Sequence, residues 1–199
     1  MKTILLTGFE PFLNLAVNPT EQIANALHGR TYGQYRIEGH VLPVDFNESD
    51  AVLKQLLDKH KPHIVLSLGV AAGRHHFTPE RIAINVKDGE ADNNGYAPED
   101  EAIALDGEDG MFTNLPVREL VNVLRDNGYP ASISNSAGTY LCNNIMYVGA
   151  QYAKETGAVA GFLHMPANFE LALAHRRLPS WHQRDLQACV ELCIEQLTQ

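Results

Sequence analysis

Continuous apolar runs alternate along this chain with segments whose apolar residues recur at three- and four-residue spacing. The runs predict buried strands, and the spaced segments predict amphipathic helices. Lys2–Thr7 is a short first strand closed by Gly8. Asn18-Pro19 opens a helix to about His28, with Asn as N-cap and Pro at the first helical position. Tyr35–Val44 alternates as a strand, and Glu48–Lys59 carries Val52, Leu53, Leu56 and Leu57 at helical spacing. His63–Val70 is a second continuous strand, and Glu80–Val86 reads as another. Pro116–Asn127 is an amphipathic helix with Gly128 at its C′ position. Ala131–Ser134 reads as a short strand, Leu141–Thr156 as a helix and Val159–His164 as a strand. Ser180 and Gln183 form a capping box for a last helix running to Leu197.

This alternation predicts an α/β fold with a central, mostly parallel twisted sheet covered by helices on both faces. The 199 residues, 45% of them hydrophobic, suit one domain spanning residues 1–199. Ligands in such folds bind beyond the carboxyl ends of strands. Thr7-Gly8, Gly69-Val70, Asn135-Ser136 and His164 lie at such ends.

The charge is −9, from 15 basic and 24 acidic residues, which argues against a nucleic-acid or anionic-membrane surface. The first apolar stretch, Ile4-Leu5-Leu6, is too short for a secretory leader. Three cysteines, an odd number, fit a reducing cytoplasm better than a disulfide framework. Lys87–Gly110 is a long polar stretch with nine acids against one lysine. Loops of this length are usually functional or disordered.

Two residues stand out chemically. Cys142 follows the turn in Ser136-Ala-Gly-Thr-Tyr-Leu141 at the predicted start of a helix. Free N–H groups and the helix dipole there favour a thiolate and can hold an oxyanion. His164 ends an apolar run before Met165-Pro166, where it can meet the cysteine as a base. A third group commonly orients the imidazole, and spacing alone does not choose among Glu80, Asp45 and Asp88. Cys189 and Cys193 lie four apart on the last helix and read as core. They lack a second ligand pair, so no metal site is read, and the other histidines carry no positional signal.

Five motifs in register resemble the pyroglutamyl-peptidase I family of cysteine peptidases, also called pyrrolidone-carboxylate peptidases. They are Gly8–Phe12, Asn18-Pro19, Glu80–Asn85, Ser136–Asn143 with Met146-Tyr147, and Gly161–Pro166. The resemblance implies a three-layer α/β/α fold and a catalytic set of Glu80, Cys142 and His164. It implies that Phe9 and Phe12 sandwich a pyroglutamyl ring and that Asn18 hydrogen-bonds it near the Val70 backbone, with Tyr140 and Leu141 as further walls. It also implies hydrolysis after an N-terminal pyroglutamyl residue through a thioester, with no cofactor. A cytoplasmic homotetramer is the commonly seen form.

The chain departs from the family pattern in three places. Leu13-Asn14 replaces Gly-Gly, and Ala71-Ala72-Gly73-Arg74 replaces Ala-Gly-Gly-Arg. Gly89-Glu90-Ala91-Asp92-Asn93 places Glu90 where the family commonly has an arginine. Two other readings stand beside the peptidase. One is a related thiol amidase acting on another small ring. The other is a non-catalytic ligand-binding protein on the same scaffold.

Overall fold

The computed structural model describes residues 1–12, 17–175 and 177–199. The departure at Leu13-Asn14 lies outside them. The chain runs β1 (Lys2–Phe9), α1 (Pro19–Leu27), β2 (Thr31–Tyr32), β3 (Tyr35–Leu42), α2 (Ser49–His60) and β4 (Ile64–Val70). It continues through β5 (Thr78–Pro79), β6 (Ile82–Ile84), β7 (Gly110–Phe112), α3 (Val117–Asp126) and α4 (Leu141–Thr156). It ends with β8 (Val159–Met165), β9 (Ala167–Asn168), α5 (Phe169–Ala174), β10 (Ser180–Trp181) and α6 (Gln183–Leu197).

The main sheet has the order β2-β3-β1-β4-β8-β5. Its four central strands are parallel, and β2 and β5 run antiparallel at the edges. From β1 the chain moves out to β3, then returns to place β4 on the other side of β1. The crevice between β1 and β4 is therefore the topological switch point, where α/β folds bind ligands.

Side chains alternate across the sheet and build two cores. Ile4 and Leu6, Leu66 and Leu68, and Leu163 and Met165 pack with α1, α3 and α6. Leu5 and Phe9, Val65, and Ala160 and Phe162 pack with α2 and α4. His164 follows the parity of Phe162 and so faces α4. Gly8 has the opposite parity, and α1 crosses it closely. A Cβ there would lie 2.3 Å from the Thr20 carbonyl oxygen.

Three sequence expectations need correction. Glu80–Val86 is not one strand. β5 pairs with β8, and β6 pairs with β7 in a separate ribbon. Between them Glu80 N donates to Phe162 O and Arg81 N to Ser134 O. The chain changes partners at Glu80, after Pro79, which has no N–H to give. Ala131–Ser134 likewise forms only isolated bridges, Phe77 to Ala131 and Glu80 to Ser134. The polar stretch ends at β7, in which Met111 is buried and Phe112 exposed.

The capping box is also absent. Ser180 is occupied in β10, paired with Ala167, and His182 Nδ1 caps α6 by accepting from Arg184 N. Gln183 instead ties α6 to the rest of the fold, accepting from Asn168 and donating to Pro19 O. The short elements β2, β9, α5 and β10 carry too few residues to show a period. Among the described residues, no helix is long and apolar enough to cross a membrane.

Replacing Gly8 with Ala is expected to push α1 away from β1, because both clashing atoms belong to backbone. The cost should be about 2–3 kcal/mol, read as a lower urea midpoint with an unchanged slope. An unchanged midpoint would mean that α1 does not seat on β1 as described.

Candidate active site

The parity of β8 brings His164 to the buried face under α4, and the break after β5 brings Glu80 to meet it. Glu80 Oε1 lies 2.7 Å from His164 Nδ1, with both residues buried. Arg74 Nη1 donates to the same oxygen at 2.6 Å. Arg74 also donates to Thr78 Oγ1 and to Ser136 O, so one guanidinium joins the carboxylate to the turn before Cys142. Burial would raise the Glu80 carboxyl. The hydrogen bond and charge of His164, with Ser134 and Arg74, outweigh that and hold it below its usual range. Burial pulls His164 down, and Glu80 only partly restores it. The pair rests as carboxylate and neutral imidazole, with Nδ1 held by Glu80.

Cys142 is the second residue of α4. Its N-cap residue, Tyr140, makes no capping side-chain hydrogen bond, so among the described residues the first-turn N–H groups lack a side-chain cap. Asn143 fixes that turn. Its side chain accepts from Ile84 N and donates to Ile84 O and Val86 O, as a neighbouring strand would. Gly69 leaves room for the thiol. A Cβ there would lie 2.9 Å from Cys142 Sγ and 2.6 Å from Phe162 Cε1. Gly69 is the register partner of His164, so thiol and imidazole stand over neighbouring positions of one sheet face.

The setting of the thiol opposes the expected thiolate. Cys142 is half-buried, yet desolvation by its apolar walls, then the Glu80 charge, pushes its thiol up to about 12, and Arg74 offsets only part of this. Apolar walls around the sulfur outweigh the helix terminus. This setting favours the neutral thiol, so the anion arises by proton transfer to a base.

A small cleft opens on Cys142 at the switch point. Phe9, Phe12, Asn18, Val44, Val70, Tyr140, Leu141 and Cys142 line it, and its cavity volume is only about 20 Å³. All six substrate-binding residues expected by resemblance are brought together, with Val44 added. Phe9 is buried and Phe12 half-buried, and the Phe12 ring leans on Tyr140 at 6.4 Å. Asn18 Oδ1 caps α1 at Thr20, and Nδ2 donates to Glu10 O. Among the described residues, one N–H of its amide has no partner and can meet a ligand carbonyl. Larger surface grooves, such as the one between Glu108 and Lys154, hold neither the cysteine nor the histidine.

The acidic stretch serves largely as scaffold for this cleft. Buried Asp92 accepts from the backbone N–H of Phe46, Asn94 and Tyr96. Asn93 donates to Glu10 Oε1 and Pro11 O, and Glu10 in turn receives Val44 N. The wall residues Phe9, Phe12 and Val44 are thus tied to residues 92–93. Asp88 accepts from Asp100 N, and Glu101 meets Tyr96 and Lys87. Glu90 is exposed, and its charge helps raise Tyr140, after burial and Asp92.

Of the three carboxylates that spacing left open, Glu80 alone bonds the imidazole. Asp45 Oδ1 accepts from Asn47 N and Glu48 N at the start of α2. Cys189 and Cys193 are fully buried. From sequence alone, Arg74 stood out only as part of a departure from the family pattern, and Gly69 only as a strand end. Asn143 went unnoticed as a side-chain staple. None of the three has a periodic signal, since each acts through a contact distant in sequence.

A buried carboxylate–imidazole pair beside a helix-borne cysteine, on an α/β sheet, defines a cysteine peptidase. A sequence profile of the pyroglutamyl peptidase family matches residues 2–199, and the chain belongs to that family. It is 56% identical to the pyrrolidone-carboxylate peptidase of Lysinibacillus sphaericus over 197 residues, covering 98% of this chain and 97% of that one. It is 48% identical to the Oceanobacillus iheyensis protein of the same name, covering 98% of each. Among solved structures, pyrrolidone carboxyl peptidase from Thermococcus litoralis superposes with a TM-score of 0.94 at 40% identity, covering 98% of this chain and 92% of that chain.

Alkylation of Cys142 by iodoacetamide is expected to keep accelerating above about pH 9 without a plateau near neutrality. One label per chain should be found, on Cys142. A plateau at neutral pH would show a preformed thiolate.

Proposed function

We propose that this chain removes N-terminal pyroglutamate from peptides, with Cys142, His164 and Glu80 as its catalytic set. The observation that carries the reading is the cleft itself: small, mostly apolar and opening on the cysteine. A pyroglutamyl ring is flat and compact, and its lactam needs only a few polar partners. Phe9 and Phe12 flank the ring, the free Asn18 N–H meets its carbonyl, and Val70, Tyr140 and Leu141 close the walls.

His164 takes the thiol proton as sulfur attacks the pyroglutamyl carbonyl. The tetrahedral oxyanion is held by the uncapped N–H groups at the start of α4. As it collapses, imidazolium protonates the departing amine and the peptide leaves. Water, activated by the same imidazole, then resolves the thioester and releases pyroglutamate. Glu80 holds His164 in one tautomer and stabilises its charged form, and Arg74 keeps Glu80 ionised. Residues 1–199 act as one catalytic domain, in our reading a cytoplasmic one that assembles as a homotetramer.

Pyroglutamyl-aminomethylcoumarin should be cleaved, and alanyl and prolyl analogues should not. Cleavage of another ring amide instead would favour the amidase reading. Binding without turnover would favour a binding protein. Cys142→Ala should abolish turnover while the chain still folds. Glu80→Gln should lower kcat by roughly a hundredfold with little change in KM, since Glu80 acts through His164. A normal kcat in that variant would remove Glu80 from the mechanism.

Glu90 stands exposed beside Tyr140 and favours peptides with Lys or Arg after the scissile bond. Glu90→Arg is expected to weaken that preference and to raise turnover of a neutral substrate a few-fold. Salt should shrink both effects. Identical kinetics at low and high salt would place Glu90 outside the reach of substrate.

A further inference from the structure

Away from the cleft, β3 and the end of α2 bring together Glu38, His40 and His60. Glu38 and His40 are two apart on β3 and so share a face. Gly39, between them, faces α1, where a Cβ would lie 2.1 Å from Ala24 O. Glu38 and His40 therefore face α2, whose last residue is His60. One ligand atom from each of the three lies within 4.8 Å of the others. The His40 and His60 rings are 5.2 Å apart.

Nε2 of His40 and Nε2 of His60 are both buried without a hydrogen bond among the described residues. Native proteins rarely leave such atoms unsatisfied, and each instance asks for a ligand or water. His28 is held apart from the set, since its Nδ1 accepts from Gly39 N. Arg36 Nε stands 3.4 Å from Glu38 Oε1, which leaves the other carboxylate oxygen available. Lys59 also bears on His40 and opposes a cation.

We propose that Glu38, His40 and His60 form a zinc site that clasps the end of α2 to β3, separate from the catalytic cleft. Two imidazoles and a carboxylate suit Zn²⁺ in donor type and number, with water as fourth ligand. Metal–ligand bonds of about 2.0–2.1 Å require the three half-buried side chains to draw together slightly. The clasp joins residues distant in sequence, so metal bound only to the folded chain stabilises it.

The test uses the full chain carrying Cys142→Ser, so that the catalytic sulfur cannot bind metal. Zn²⁺ added to chelator-treated protein should raise the thermal midpoint by several degrees. Co²⁺ should give tetrahedral visible bands without sulfur-to-metal charge transfer. His60→Gln and Glu38→Gln, made in the same background, should each lose the midpoint shift and weaken Co²⁺ binding by at least about tenfold. His60 ends a helix, so its variant should fold. Three outcomes overturn the proposal: no shift and no bands, as a water-filled cluster would give; an equal shift in His60→Gln; or a sulfur charge-transfer band, which would place the metal at Cys189 and Cys193.

Discussion

A carboxylate with no exposed surface governs the arrangement of this molecule. Glu80 is wholly buried, and an unpaired charge in that position is strongly destabilising. It is tolerated because His164 and Arg74 both reach Oε1 within hydrogen-bond distance. Removing one partner of such a buried pair commonly costs about 3–5 kcal/mol. The chain is shaped around that need. The edge strand stops at Pro79, Glu80 turns inward, and Arg74 crosses from the loop after β4 to cover it. Since Arg74 also holds Ser136 O, the same contact anchors the turn that delivers Cys142.

Protonation is coupled to folding through this pair. The Glu80 carboxyl is lower in the folded chain, so its contribution is present above the ordinary carboxylate range and fades as pH falls through the folded value. His164 is also lowered, so the unfolded chain binds its proton first and gains stability as pH falls below about 6.5. Both groups therefore weaken the fold in acid. The cysteine lies on the other side of the same balance. Its neutral thiol avoids a second buried anion beside Glu80 at the expense of a proton transfer at the moment of attack.

The cleft depends on a second set of contacts, made by residues that read as a solvated acidic loop. Asp92 and Asn93 bind backbone and side-chain groups from three separate segments, at residues 10–11, 44–46 and 94–96. They give the aromatic walls a fixed backing. A high density of acids in sequence is ambiguous for this reason. The same residue types solvate a surface or satisfy buried N–H groups, and only their neighbours decide.

The long elements were legible because a buried face imposes a period. Runs such as Ile64–Val70 and the spacing of Leu141–Thr156 report burial directly, and their alternation leads to a parallel sheet with helices on both faces. Glu80, Cys142 and His164 were legible through motif order and resemblance, which carry no distances. Local chemistry alone misjudged the thiol, because a helix start favours an anion while the surrounding walls and the Glu80 charge oppose it. Tertiary structure decided the break at Glu80, the cap at His182, the roles of Arg74, Gly69 and Asn143, and the meeting of His40 with His60. Each of these rests on a contact between segments far apart in the chain. Periodicity and composition record how much a residue is buried, and they do not record what it is buried against.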